Sequence, residues 1–469
     1  MKASDPIHRR QFMSNTAGGF VAMAMGHLLG RSDTFYDIGE PVTHHPPKAR
    51  RVIQLFMNGG VSPMDTFDYK PALRDLDGQT FDPGGDQRVE SVTRSPGFKV
   101  MASPFEFKRH GQCGQWVSEV LPHMGSMVDE MAFIMSMHSS SNVHGVASYM
   151  QNTGFALPGF PAMGAWISYG LGAVNQNLPA FVVMPDPRGL PYNNLGNFSS
   201  GFLPSSHGAT LIEPSAEDPI AFLHPPTHQE HITAASELDG RKLLSALASQ
   251  DVKDPIFQSR LRSYEQAARL QLASPELFDL SRESEAVRKL YGMDQEVTRD
   301  FGKRCLIARR MLERDVRFIQ LWSGAGGPSN NWDNHANIDQ ELPWIARQVD
   351  LPIAGLLKDL KATGLLEDTL VIWTTEFGRM PFTQGESGRD HNGGTFVSWL
   401  AGAGIQPGTQ IGRSDPWAWK AETPIWCYDL HATILHLLGV DHTRLTYRHN
   451  GLERRLTDVH GHILRGLLA

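Results

Sequence analysis

The chain has 469 residues, of which 41% are hydrophobic and 20% charged, an ordinary balance for a globular protein. Its 43 Lys and Arg against 50 Asp and Glu leave a formal charge of −7, which argues against nucleic acid as an obligatory partner. With 20 His and 3 Cys, any metal is to be held by nitrogen and oxygen; Cys113, Cys305 and Cys427 form neither a CxxC spacing nor a disulfide framework.

The amino terminus reads as an export signal. His8-Arg9-Arg10-Gln11-Phe12-Met13 sets an arginine pair before two apolar residues. Ala17 to Leu29 follows as a mild apolar stretch, interrupted by His27 and shorter than the roughly 20 residues of a membrane span. The pair resembles the twin-arginine (Tat) signal, which carries folded, often cofactor-loaded proteins across the bacterial inner membrane. Export after folding also accommodates three unpaired cysteines. The competing reading is a basic start to a first amphipathic helix. No clear A-x-A cleavage site follows, so a retained anchor stays open. Residues 1–47 are therefore expected to be signal and linker and residues 48–469 a single domain, periplasmic or otherwise extracytoplasmic, with the Tat machinery as a partner and no further membrane span.

The body alternates strand and helix signals. Arg51 to Met57, Met131 to Met137, Ala180 to Met184, Val316 to Trp322, Leu370 to Thr375 and Thr395 to Leu400 are short β-branched or aromatic runs closed by Gly, Pro, Asn or Ser. Leu342 to Thr363 has helical spacing, with Pro352 expected to kink or split it. Asp429 to Leu438 places Leu430, Ile434, Leu437 and Leu438 on one face, with Asp429 suited to the N-cap and Gly439 to C′. Such alternation predicts an α/β fold with a mainly parallel central sheet covered by helices on both faces. Ser200 to His231 reads as a long loop. It leads into a charge-dense helical insertion at about 232–315, with Glu265, Arg269, Glu283, Glu285 and Arg288 on solvated faces.

Chemistry concentrates where the strand-like runs end. Asp65 follows the first run in LFMNGGVSPMDTFD, Asp333 and His335 lie in NNWDNHANI, Glu376 in VIWTTEFGR and His391 in GRDHNGG. Hard oxygen and imidazole donors at the carboxyl ends of strands are what a metal site in an α/β sheet needs. An Asp in a turn is by itself more often a cap, and a His after a strand more often a hydrogen-bonded loop residue. The recurrence of the pattern is what points to a divalent metal: zinc, manganese, iron or calcium.

These words resemble the alkaline phosphatase and sulfatase superfamily and, within it, the Tat-exported bacterial family called domain of unknown function 1501, from about Arg51 to the closing RLTDVHGHILRGLLA. DLHATILHLLGVD is similar to the late helix of sulfatases and SYMQNTG to the sulfatase helix that ends in Thr-Gly. TTEFGR resembles the Ser-Asp-His-Gly word, and DHNGGTFVSWLAGAGI the last metal-binding His before a strand. The resemblance implies one metal site from Asp333, His335 and His391, with an Asp–His spacing of two in place of four, and a second from Asp65 and Glu376, where Phe377 stands in place of a ligand. Nine residues before Thr153, where sulfatases carry the formylglycine precursor, stands His144; no Cys-x-Pro-x-Arg word occurs, so no formylglycine is expected. Ser139, Ser140 and Ser141 lie just before, flanked by His138 and His144 as candidate ligands, general base or loop hydrogen-bonders. Ser141 and His144 are the catalytic candidates. Arg379 and Arg389 are candidates for gripping an anionic ester, although structural pairing is the commoner use. Asn58-Gly59-Gly60 offers backbone N–H groups to an anion or is a plain turn. Trp332, Trp417, Trp419 and Trp426 line a glycan cleft or, more commonly, pack in the core. The expected function is an exported metal-dependent hydrolase of sulfate or phosphate esters, acting on a small-molecule or glycan ester. The alternatives are a catalytically degenerate relative that binds an anionic glycan or envelope partner, and a structural envelope component.

Overall fold

The computed structural model describes residues 42–82, 98–175, 177–216, 219–220, 270 and 276–469. The arginine pair, the apolar stretch after it, the end of the expected loop from 221 and most of the expected insertion, with Glu265 and Arg269, lie outside the described residues. Among the described residues no helix is long and apolar enough to cross a membrane.

All six strand-like runs join one nine-stranded sheet, as Arg51–Met57, Met131–His138, Phe181–Met184, Phe318–Ser323, Thr369–Thr374 and Phe396–Gly402. Arg51–Met57 lies at its centre, parallel to Phe318–Ser323 on one side and Thr369–Thr374 on the other. Phe181–Met184 extends the parallel run beyond Phe318–Ser323. Phe396–Gly402 is the exception: it runs antiparallel between Thr369–Thr374 and Met131–His138. The fold is thus α/β with a mostly parallel sheet, as the alternation predicted.

The strands are apolar on both faces because helices cover both. Ile53, Leu55 and Met57 enter one core with Phe301, Leu306 and Ile307 of the Glu296–Glu313 helix and Leu342, Ile345 and Val349 of the Ile338–Ala362 helix. Val52 and Phe56 point the other way, toward Trp166 of the Met163–Leu171 helix and Leu430, Ile434, Leu437 and Leu438 at the late helix. Strand periodicity of two divides the residues between these layers.

Three local expectations are corrected. Pro352 does not split its helix in two: Ile338–Ala362 is one helix of 25 residues that includes Pro343 and Pro352. Each of the two prolines removes one backbone hydrogen bond from the helix interior, and the buried apolar face offsets the roughly 3 kcal/mol an interior proline costs. The late helix begins at Cys427, so Asp429 caps it from within the first turn: its Oδ2 accepts the Trp426 N–H at 2.9 Å. Gly439 does take the C′ position, with φ +82°. Glu283 is not a solvated charge; its carboxylate receives Arg309 at 2.8 Å and Arg310 at 2.7 Å, whereas Glu285 and Arg288 are exposed as expected.

Candidate metal centre

The sheet topology brings five chain segments to one edge. Arg51–Met57, Met131–His138, Phe318–Ser323 and Thr369–Thr374 all end there, and the antiparallel Phe396–Gly402 begins there. Beyond those ends stand Asn58 to Gly60, the loop to His144, the loop carrying Asp333 and His335, Glu376, and the Gly388–Asn392 strand with His391. Ligands of α/β sheets gather at such carboxyl edges.

Among the described residues, His144, Asp333, His335 and His391 offer donor atoms that all lie within 4.8 Å of one another. His391 Nε2 is 3.0 Å from His144 Nε2, 2.8 Å from His335 Nε2 and 3.1 Å from Asp333 Oδ1. His335 Nε2 approaches Asp333 Oδ1 at 2.7 Å, and His144 Nε2 approaches Asp333 Oδ2 at 3.2 Å.

The other ring nitrogens say what this cluster needs. His144 Nδ1 faces Glu376 Oε1 at 2.6 Å, His391 Nδ1 faces the Asn142 carbonyl at 2.8 Å, and His335 Nδ1 faces the side-chain oxygen of Gln384. All three partners accept, so each Nδ1 carries a proton and donates outward. In a neutral imidazole that leaves a lone pair at each Nε2. Three lone pairs and a carboxylate then converge, an arrangement that calls for a bound proton or a metal cation between them. Outward donation to a carboxylate or carbonyl is how metal-binding histidines are held. The donor set fits a divalent metal.

Charge around the cluster is tightly arranged. Burial penalises the Asp333 carboxylate, but Arg379, at 2.5 Å, and the three imidazoles hold its carboxyl well below the usual range. For His144, burial works against the proton, while Asp333 and Glu376 favour it and the net direction is upward. His391 is pushed down, first by burial, with Asp333 opposing and Arg379 adding.

The other expected site residues supply no atom to the donor cluster, although Glu376 and Arg379 touch it. Glu376 touches it through His144, and its Oε1 also accepts the Gly59 N–H at 2.8 Å. The Gly59 amide thus serves an internal carboxylate. Asp65 is gripped by Arg389, with Nε at 2.6 Å and an Nη at 3.2 Å, and receives the Ser62 hydroxyl at 2.5 Å. Both guanidinium groups that were candidates for gripping an ester, those of Arg379 and Arg389, are fully buried in internal pairs, the commoner use. Ser141 Oγ accepts the Val143 N–H at 3.1 Å, one residue before the Asn142 carbonyl that holds His391. Of the two flanking histidines, His144 joins the cluster and His138 does not: its Nδ1 faces the Gly394 carbonyl at 3.2 Å. Phe377 packs its ring 4.7 Å from that of His144 and 4.9 Å from that of His391. Trp332 is buried in the core, as the commoner use predicted.

Residues 49–468 match the family described as "Protein of unknown function (DUF1501)". The chain belongs to the DUF1501 family. No curated protein matches it in sequence. Among solved structures, it is similar to Ps i-CgsB in complex with k-i-k-neocarrahexaose, at 9% identity and TM-score 0.38 over 85% of this chain and 72% of that one. It is similar to a sulfatase from Pseudoalteromonas sp. at 12% identity and TM-score 0.35, covering 91% and 72%. An alkaline phosphatase from the Antarctic bacterium TAB5 matches at 13% identity and TM-score 0.30, covering 84% and 98%.

In this DUF1501 chain, sequence reading missed Tyr192, Gln384 and Asn142. The Tyr192 ring stacks on His144 with centroids 4.3 Å apart, and its hydroxyl lies 3.3 Å from Asp333 Oδ2. Burial and the nearby Asp333 and Glu376 push its phenol up, so it stays protonated. Nothing in its surrounding word, PYNNLGN, marks it out. Gln384 and Asn142 act through a side-chain amide and a backbone carbonyl, which carry no sequence signature either.

Proposed function

We propose that this DUF1501 protein is an exported metal-dependent hydrolase of sulfate or phosphate esters, holding one divalent metal between His144, Asp333, His335 and His391. The observation that carries the reading is the convergence of three Nε2 atoms on the Asp333 carboxylate, each imidazole pinned by an outward Nδ1 hydrogen bond. Three nitrogens and one oxygen favour zinc, manganese or iron over calcium, which prefers an all-oxygen shell. When bound, such a metal polarises an ester oxygen and lowers the pKa of a coordinated water.

The chain's own residues then have separable tasks. Arg379 holds Asp333 ionised and in place. Tyr192 covers one face of His144. Side-chain exposure of 28% at His335 leaves that side of the cluster open to solvent and to an ester. Ser141 is the candidate hydroxyl nucleophile, on the loop tied to His391. Arg379 and Arg389 are engaged by Asp333 and Asp65, so positive charge for an anionic ester would be supplied by a metal held at the cluster. His144 serves as the fourth ligand, a role supported by the approach of its Nε2 to both Asp333 and His391.

The test is elemental analysis of protein prepared without chelators, followed by p-nitrophenyl phosphate and sulfate turnover. Turnover lost on chelation and restored by metal supports the reading; metal-free wild-type protein overturns it. One observation favours a second reading, a metal-loaded relative that binds an anionic glycan or envelope partner without turnover: Phe377 packs on two of the histidines and Asp65 is locked to Arg389, leaving a single metal position. Metal-loaded protein that retains a sulfated glycan but turns over no ester decides for it.

A further inference from the structure

Glu376 is wholly buried, and the metal ligands alone do not account for its charge. It sits one residue past the Thr369–Thr374 strand and Thr375, at the edge where the cluster forms. Its Oε1 takes the His144 Nδ1–H at 2.6 Å and the Gly59 N–H at 2.8 Å, while its Oε2 lies 3.1 Å from the Thr375 hydroxyl, which is closer to the Met57 carbonyl at 2.7 Å. Gly59 in turn lies so close to the next strand's loop that a Cβ there would fall 2.6 Å from the Asp333 amide. One carboxylate is thereby tied to the backbone beside Asp333 and to the ring of His144.

We infer that Glu376 is a positioning residue of the metal centre, a supporting carboxylate that fixes the tautomer and ring plane of His144, and not a ligand. The inference rests on the reading of the cluster as a metal site and assigns a role that reading leaves open. Three features support it. The carboxylate oxygen nearest the cluster is already committed to two N–H donors, and it meets the cluster through the far nitrogen of His144. An ionised acceptor makes a stronger bond to Nδ1–H than the neutral acceptors at His335 and His391 do, and raises the basicity of Nε2. Burial around the pair prevents water from replacing it. Of the three imidazoles, His144 is the one held at Nδ1 by a carboxylate, and that bond comes from a single side chain.

A double-mutant cycle on metal affinity tests this, measured by chelator competition on the full chain with zinc and with cobalt(II) as probes. Glu376→Gln is expected to weaken binding roughly 10–100-fold, with the cobalt(II) visible bands kept in position because no ligand is removed. In a His144→Ala background the same change is expected to add little, since its effect travels through the missing ring. An E376Q protein matching wild type in affinity overturns the inference, as does an E376Q loss of equal size with and without His144, which is what a direct ligand gives. Should E376Q fail to fold, judged by circular dichroism, E376D carries the same comparison, because it keeps the charge but withdraws it by one methylene. Wild-type protein that takes up neither probe overturns the metal site itself, a result distinct from any of these.

Discussion

Arg389 grips Asp65 through Nε at 2.6 Å and an Nη at 3.2 Å, and neither side chain has any exposed surface. A carboxylate so held has its charge balanced within the protein. Asp65→Asn strands the guanidinium in a dry environment, and breaking a buried pair in this way costs about 3–5 kcal/mol. Chemical denaturation should show that loss while metal content per chain stays at the wild-type level. Loss of metal in D65N would make Asp65 a ligand.

For His391 the order is reversed. His391 Nε2 touches the donor atoms of all three partners, so His391→Ala should remove metal affinity by more than the roughly 10–100-fold that a supporting group costs. Inductively coupled plasma analysis should find about one metal per chain in wild type and a sharp drop in H391A. Dialysis against a chelator should strip wild type and lower its melting temperature, because a metal that binds the native state stabilises it.

Gly59 is required twice over. Its φ of +124° is strained for any side chain, and an added Cβ would meet the Trp332 and Asp333 backbone at 2.6–2.8 Å. Gly59→Ala should cost roughly 1–3 kcal/mol of stability and weaken metal binding, since Asp333 must shift. Unchanged affinity in a folded G59A protein would separate this contact from the site.

His431 supplies a pH dependence away from the metal. It is buried with Nε2 at 2.8 Å from the Gln151 carbonyl, and burial pushes its pKa down to about 4. A folded-state value below the ordinary one near 6.5 means that the unfolded chain binds the extra proton first. The contribution of His431 is therefore intact above pH 6.5 and is lost as pH falls toward 4, by roughly 3 kcal/mol in all. Urea denaturation of metal-free wild type and His431→Gln should show a stability gap that narrows across that window. A gap independent of pH would refute the assignment.

Export remains to be tested on residues outside the described structure. The pair Arg9 and Arg10 before Phe12 and Met13 predicts Tat transport. Arg9→Lys combined with Arg10→Lys should leave the full-length protein in the cytoplasm on fractionation, and undiminished export would remove the Tat assignment.

The layout of strands and covering helices was legible in the chain because it is local. Runs such as RVIQLFM are apolar on both faces and closed by Gly or Asn, and the late helix carries its stripe at 3.6-residue spacing; neither depends on distant partners. Asp333, His335 and His391 could be singled out for the same reason, as each stands in a Gly- or Asn-rich word near a strand. Which residues meet is another matter. His144 and Glu376 are 232 positions apart and Asp65 and Arg389 are 324 apart, and it is the order of strands in the sheet that decides such encounters. That order placed His144 in the cluster and left His138 on the Gly394 carbonyl, although both flank the same loop. It also gave Arg379 and Arg389 to buried carboxylates. Local patterns record what a residue can do at its own position; the free energy of burying a charge depends on what else is brought there, and tertiary contacts alone determine that.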